Sequence, residues 1–211
     1  YFHPLNAYSL NQIINEVFYL QSYRPGMWMH TWSLAVEEHF YLVMALATFM
    51  SLKSMFLNNN KLIKWFLIAG LCISLSMRFY LCYPHRNEFF FAFMATHLRM
   101  DGIMVGDLIS YFYYFTASYN FFLKYKYVFL GLGALLISPV FFFNGGGYFM
   151  NTIGLTTMNL GFGLVVLFSL TGFTSNQIII SRLTYIPLTI ISFIGVHSYS
   201  IYLWHLLSND M

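Results

Sequence analysis

Charge is what this sequence has least of. Only 8% of its 211 residues are Asp, Glu, Lys or Arg, while 59% are hydrophobic and 21% aromatic. A water-soluble domain carries about 25% charged residues. This chain therefore has too few to coat a globule with water-facing groups. Long apolar stretches recur along its whole length, which predicts a polytopic, all-α membrane protein. The net charge of +3 does not point to nucleic acid, because the lysines sit in short loops between apolar runs and form no continuous basic face.

Cysteine is nearly absent too. Cys72 and Cys82 are the two in the chain. On one helix they would lie about 15 Å apart along the axis, too far for a disulfide, and they read as small apolar fillers. No HxxxH or HExxH spacing occurs and the histidines are scattered, so no metal site is expected. GxSxG, Walker and dinucleotide motifs are missing. So are a 20–50 residue repeat and a linker long enough to separate a second globular domain. The chain opens on Tyr1 without a signal-peptide pattern and closes on Met211 soon after an apolar aromatic run. Both ends are expected to be cuts within a longer protein.

Six apolar runs are present. Residues 1–30 read as an extracytoplasmic loop containing a short amphipathic helix, with Ile13, Ile14, Val17 and Phe18 at helical spacing and YRPG (23–26) breaking it. Residues 31–211 read as the transmembrane domain. Its expected spans are Trp32–Leu52, Trp65–Tyr83, His97–Phe115, Tyr127–Phe143, Thr152–Phe173 and a last run near Phe193–Leu207, with a loop holding Arg182 and Pro187 before it. Alternate loops carry Lys53, Lys61 and Lys64, then Lys124 and Lys126, then Arg182. The other set carries Arg24 and Arg86 with Glu16 and Glu88 beside them. The positive-inside rule then puts the first set in the cytoplasm.

That topology gathers the intramembrane charges on one side. Glu37 and Glu38 fall about 8 Å below the outer end of the first span. Arg78 comes late in the outward second span. His97, Arg99 and Asp101 open the third, and His205 ends the last. A charge at mid-bilayer costs about 2.5–3.5 kcal/mol on insertion scales, so this grouping argues for one polar pocket opening outward. Spacing adds detail. Glu37 and Tyr41 share a helix face, while Glu38 points about 100° away. His97 and Asp101, at i and i+4, could orient one another. Arg99 shares a side with Gly102 and Gly106, whose spacing lets a neighbouring helix approach.

Each residue also has a plainer reading. Glu37 suits a helix start, and Glu38 could face headgroups. Arg78 could snorkel to the outer phosphates. Arg99 and Asp101 could be structural ion-pair members. Asp107, deeper in its span, has no role beyond pairing with a neighbour or a water. His205 could be an interfacial histidine beside Trp204, and His3, His85 and His197 read as loop or interface residues.

TWSLAVEEHFYL (31–42), THLRMDGIMVG (96–106) and SYSIYLWH (198–205) together resemble, in order and spacing, the signature segments of the acyltransferase 3 family of membrane O-acyltransferases. The resemblance implies an inner-membrane, multi-pass enzyme. Its donor would be cytosolic acyl-CoA, usually acetyl-CoA, used as a substrate with no cofactor bound. The acceptor would be a hydroxyl on a cell-surface glycan such as lipopolysaccharide, exopolysaccharide or peptidoglycan. Carried over by position are Trp32, Glu37, Phe40 and Tyr41, then Arg99 and Asp101, then Tyr199, Ser200, Tyr202 and His205. Glu37, Arg99, Asp101 and His205 take catalytic roles, and Trp32, Glu38, Tyr41, Arg78 and Tyr202 line the substrate. His39 stands where glutamine is commoner. The family also has an early span bearing an arginine and a histidine taken as the catalytic base. This sequence holds no such span, so missing N-terminal spans of the same protein are expected partners, and the chain alone is expected to be inactive.

The rival from another class is a transporter or glycan flippase component. Asp107 and the span-five glycines Gly161 and Gly163 favour it. The lack of an inverted repeat and the one-sided polar groups oppose it. A structural scaffold in a glycan-assembly complex is a third reading.

Overall fold

A computed structural model describes residues 8–53, 59–82, 94–116, 118–173 and 182–209, except for the side chains of 29, 51–53, 59–61, 172–173, 182–188 and 203–209. All of the regular structure among them is helical. The chain divides into two units, residues 9–172 and residues 1–8 with 173–211.

Helix α1 (Leu10–Val17) starts at Ser9, whose hydroxyl accepts the Gln12 N–H while the Gln12 side chain accepts the Ser9 N–H. This reciprocal box satisfies two otherwise orphaned donors. Leu10, Ile14 and Val17 form an exposed apolar stripe. Asn15 turns inward and donates to the Pro25 carbonyl at 2.8 Å. The helix stops before YRPG, contrary to the sequence expectation. Tyr19 takes a left-handed φ of 57°, which a right-handed helix cannot continue through. A 3₁₀ turn, Leu20–Ser22, follows.

Helices α2 (Trp32–Lys53) and α3 (Asn59–Leu81) come next. Then α4 (Thr96–Arg99) and α5 (Asp101–Phe115) form a nearly continuous rod. Met100 alone separates them, and its N–H still reaches the Thr96 carbonyl at 3.0 Å. Helix α6 (Tyr119–Lys124) occupies part of what the sequence suggested was loop. The fourth apolar run is divided into α7 (Lys126–Ile137) and α8 (Pro139–Phe142). Pro139 has no N–H for the Leu135 carbonyl, and the Ser138 hydroxyl donates there instead at 2.8 Å. A π-turn, Met150–Gly154, leads into α9 (Leu155–Phe173).

Three of these segments, Trp32–Met50, Leu62–Leu81 and Met150–Thr171, are long and apolar enough to cross a membrane, and Lys126–Phe142 is a shorter apolar stretch. Their cross-contacts give directions. Phe40, Leu67 and Met104 form one buried cluster of α2, α3 and α5, and near the end of α3, Cys82 packs on Ala95 and Leu98 beside the start of the α4–α5 rod. Helix α3 therefore runs opposite to α5. A Cβ on Gly163 would touch Val105 and Ile109, and one on Gly102 would touch Asn159, so α9 runs with α5. Gly133 and Gly161 bring α7 and α9 together backbone to backbone, and Tyr127 meets Phe168 at 5.9 Å. Helix α7 therefore runs against α9.

In the other unit, α10 (Arg182–Asn209) is one 28-residue helix. The loop expected around Arg182 and Pro187 is helical backbone. A single proline removes one ladder hydrogen bond, and the helix continues past it.

Candidate functional site

The starts of α2, α4–α5 and α9 and the end of α3 lie at one end of the 9–172 unit. Arg78, on the last turn of α3, is fully buried and pairs with Asp101, which is 1% exposed. Nη2 of Arg78 also donates to Thr156 Oγ1 at 2.7 Å, and Thr156 lies 3.4 Å from Asp101 Oδ2. Three helices thus meet on one ionic contact just beyond the π-turn. This overturns the snorkelling reading of Arg78, because a headgroup-seeking side chain would be exposed. The contact is single-pronged. Arg78 Nε and Nη1 and Asp101 Oδ1 are buried and have no hydrogen-bond partner among the described residues. Orphaned buried polar atoms of this kind mark places where water or a ligand completes the bonding.

Arg99 belongs to the same neighbourhood. Its charge feels both Asp101 and Arg78, and its guanidinium lies 5.6 Å from the centre of the Trp32 ring, within range of a cation–π attraction. His97 does not orient Asp101, as its spacing had suggested. Its Nδ1 shares a hydrogen bond with the Tyr23 hydroxyl at 3.0 Å, and the two rings stack with centroids 5.7 Å apart. Among the described residues, Asp101 turns to α3, where the Arg78 guanidinium reaches it.

One turn from Arg99, Thr96 forms a second polar knot. Its hydroxyl lies 2.8 Å from Ser22 Oγ and 2.9 Å from His39 Nδ1. Thr96 and Ser22 are buried and His39 is half-buried. The segments 31–42 and 96–106 therefore touch twice, at Trp32–Arg99 and at His39–Thr96.

Helix α2 sorts its other residues by face. Ala35, Val36 and Phe40 are buried, whereas Glu37, Glu38 and Tyr41 are exposed. Glu37 and Tyr41 do share a face, and within residues 9–172 it is not the packed one. Asp107 is half-buried on α5. Tyr202 lies on α10, which belongs to the other unit, and the His205 side chain lies outside the described residues. The residues 83–93, with Arg86 and Glu88, also lie outside them.

Sequence reasoning missed Thr156, Thr96, Ser22 and Tyr23. Threonine and serine are common in apolar helices, where they bond their own backbone, so composition does not mark them. The only local signal was the clustering of Asn151, Thr152, Thr156 and Thr157 at the head of an otherwise apolar run.

No family model matches the chain, and neither any curated protein nor any solved structure does.

Proposed function

We infer that the chain contributes about six spans to a membrane O-acyltransferase of the inner membrane. It transfers an acyl group, usually acetyl, from cytosolic acyl-CoA to a hydroxyl of a cell-surface glycan. The observation that carries this reading is the double contact between two stretches resembling the acyltransferase 3 family. Trp32 and His39 of one meet Arg99 and Thr96 of the other, beside the buried Arg78–Asp101 pair.

In this reading a histidine removes the proton of the acceptor hydroxyl. Glu37 stabilises the charged form of that histidine, as the acid member does in a triad. Arg99 holds an anion, either a donor phosphate or the oxyanion that develops on the thioester carbonyl. Arg78 and Asp101 fix the floor of the site, and Trp32 fixes Arg99. Tyr41 and Glu38 act on the substrate side.

The test is the acetyl-ester content of envelope glycan in cells expressing the complete protein. Glu37→Gln abolishes glycan acylation while the protein still inserts in the membrane. Wild-type acylation by that variant removes Glu37 from the mechanism. Movement of the glycan without acetyl-CoA-dependent product supports a transporter instead.

A further inference from the structure

In the segment expected outside the membrane, α1 and the turn after it enclose a cleft of about 650 Å³, within the usual size range of small-molecule sites. Asn11, Gln12, Asn15 and Arg24 bring polar groups to it. Ile14 and Leu20 give it a small apolar patch. Its polar groups are fixed in place. Asn15 is 7% exposed, and its Nδ2 donates to the Pro25 carbonyl at 2.8 Å. That bond ties α1 to the turn and sets the plane of the amide. Asn15 Oδ1 is left as an acceptor with no partner among the described residues. Gln12 Oε1 is occupied by the Ser9 N–H and hydroxyl, at 2.9 and 3.0 Å, which leaves the two N–H groups of Nε2 as donors. Asn11 and Arg24 are exposed at the rim. Glu16 holds the back of the turn. Its Oε2 accepts the Met27 N–H at 3.0 Å, and a Cβ on Gly26 would collide with that oxygen.

Preset amide donors and acceptors beside a small apolar patch suit a sugar ring. Each sugar hydroxyl both donates and accepts hydrogen bonds, and the C–H faces between hydroxyls pack on apolar side chains. A bound helix or lipid chain would need a longer apolar groove. The cleft also shares a wall with the ionic site. Leu20 and Arg24 flank Ser22 and Tyr23, which bond Thr96 at 2.8 Å and His97 at 3.0 Å. Those two residues belong to α4, the helix of Arg99. We propose that this cleft is a saccharide subsite, which holds a sugar unit of the acceptor glycan other than the one that is acylated. The assignment rests on the glycan part of the acyltransferase reading. Gln12 Nε2 and Arg24 donate to hydroxyl oxygens of the sugar, Asn15 Oδ1 accepts a hydroxyl proton, and Asn11 completes the rim.

The experiment titrates the complete protein in lipid nanodiscs with de-O-acylated envelope glycan from the source cells, read by calorimetry. The wild-type protein binds the glycan. Arg24→Ala and Asn11→Ala, both at exposed positions, weaken binding about tenfold or more. Val17→Ala, on the exposed stripe of α1 outside the cleft, leaves binding within about twofold. In a parallel acylation assay with acetyl-CoA, Arg24→Ala raises KM for the glycan by the same factor and leaves kcat and KM for acetyl-CoA as they were. No binding by the wild-type protein overturns the subsite. So does wild-type affinity in both cleft variants, and so does binding that about 0.5 M sodium chloride abolishes, which marks a screened anion contact rather than hydroxyl recognition. Acyl transfer that persists in any of these cases leaves the acyltransferase reading standing without this subsite. Glycan binding that Arg24→Ala weakens, in a wild-type protein that transfers no acyl group, supports the subsite and brings down the acyltransferase reading.

Discussion

The Arg78 guanidinium on α3 donates to the Asp101 carboxylate on α5 where neither side chain meets its surroundings. A lone buried charge is far costlier than a buried pair. Asp101→Ala therefore loses about 3–5 kcal/mol of stability, read as a lower midpoint of thermal unfolding in detergent. The double variant Arg78→Met/Asp101→Leu recovers most of that loss, since it removes both charges and fills the volume. Equal loss in the single and double variants would mean the helices need the pair itself rather than charge balance.

The glycines divide into supporting and idle positions. A Cβ on Gly161 would lie 2.7 Å from Ile137 Cγ1 and 2.9 Å from the Gly133 carbonyl oxygen. Backbone cannot yield as a side-chain tip does, so Gly161→Ala costs about 1–3 kcal/mol. A Cβ on Gly106 meets nothing within 4 Å. Gly106→Ala leaves stability unchanged or raises it by up to about 1 kcal/mol through helix propensity. The same detergent unfolding assay ranks the two.

The capping box of α1 predicts a local effect. Ser9→Ala removes the acceptor of the Gln12 N–H and costs α1 about 1 kcal/mol. Amide exchange across residues 10–17 speeds up, while exchange in α3 does not change. Ser9→Asp restores the slow exchange.

The alternation of helix directions predicts the faces that reagents reach. In a Cys72→Ser/Cys82→Ser background, single cysteines at the exposed positions Gly146 and Lys124 lie at opposite ends of α7. A membrane-impermeant thiol reagent applied to intact cells labels Gly146→Cys but not Lys124→Cys. Labelling of both from outside would refute the alternation.

Helix class was legible in the chain because hydropathy acts locally. A stretch such as Leu62–Leu81 is apolar whatever its neighbours do, and its length sets what it can cross. The grouping of ionic residues was legible too. Arg78, in the last turn of its helix, and Glu37, Arg99 and Asp101, near the starts of theirs, come to one end of the 9–172 unit, and counting residues along the expected spans was enough to see it. The close-packed glycine pair was not legible. GxxxG spacing pointed to Gly102 and Gly106, yet the backbone contact is Gly133 with Gly161. Spacing describes one helix, and close approach needs two.

The amino-acid sequence alone determined that this chain forms apolar helices and brings Arg78, Arg99 and Asp101 to a common end, since both follow from solvation and helical rise. Only the tertiary structure decided that Asp101 answers Arg78 rather than His97, that Thr156 joins them, and that His39 bonds Thr96 and Ser22. A side chain's partner depends on which helices cross and at what depth, and that is a property of the packed whole.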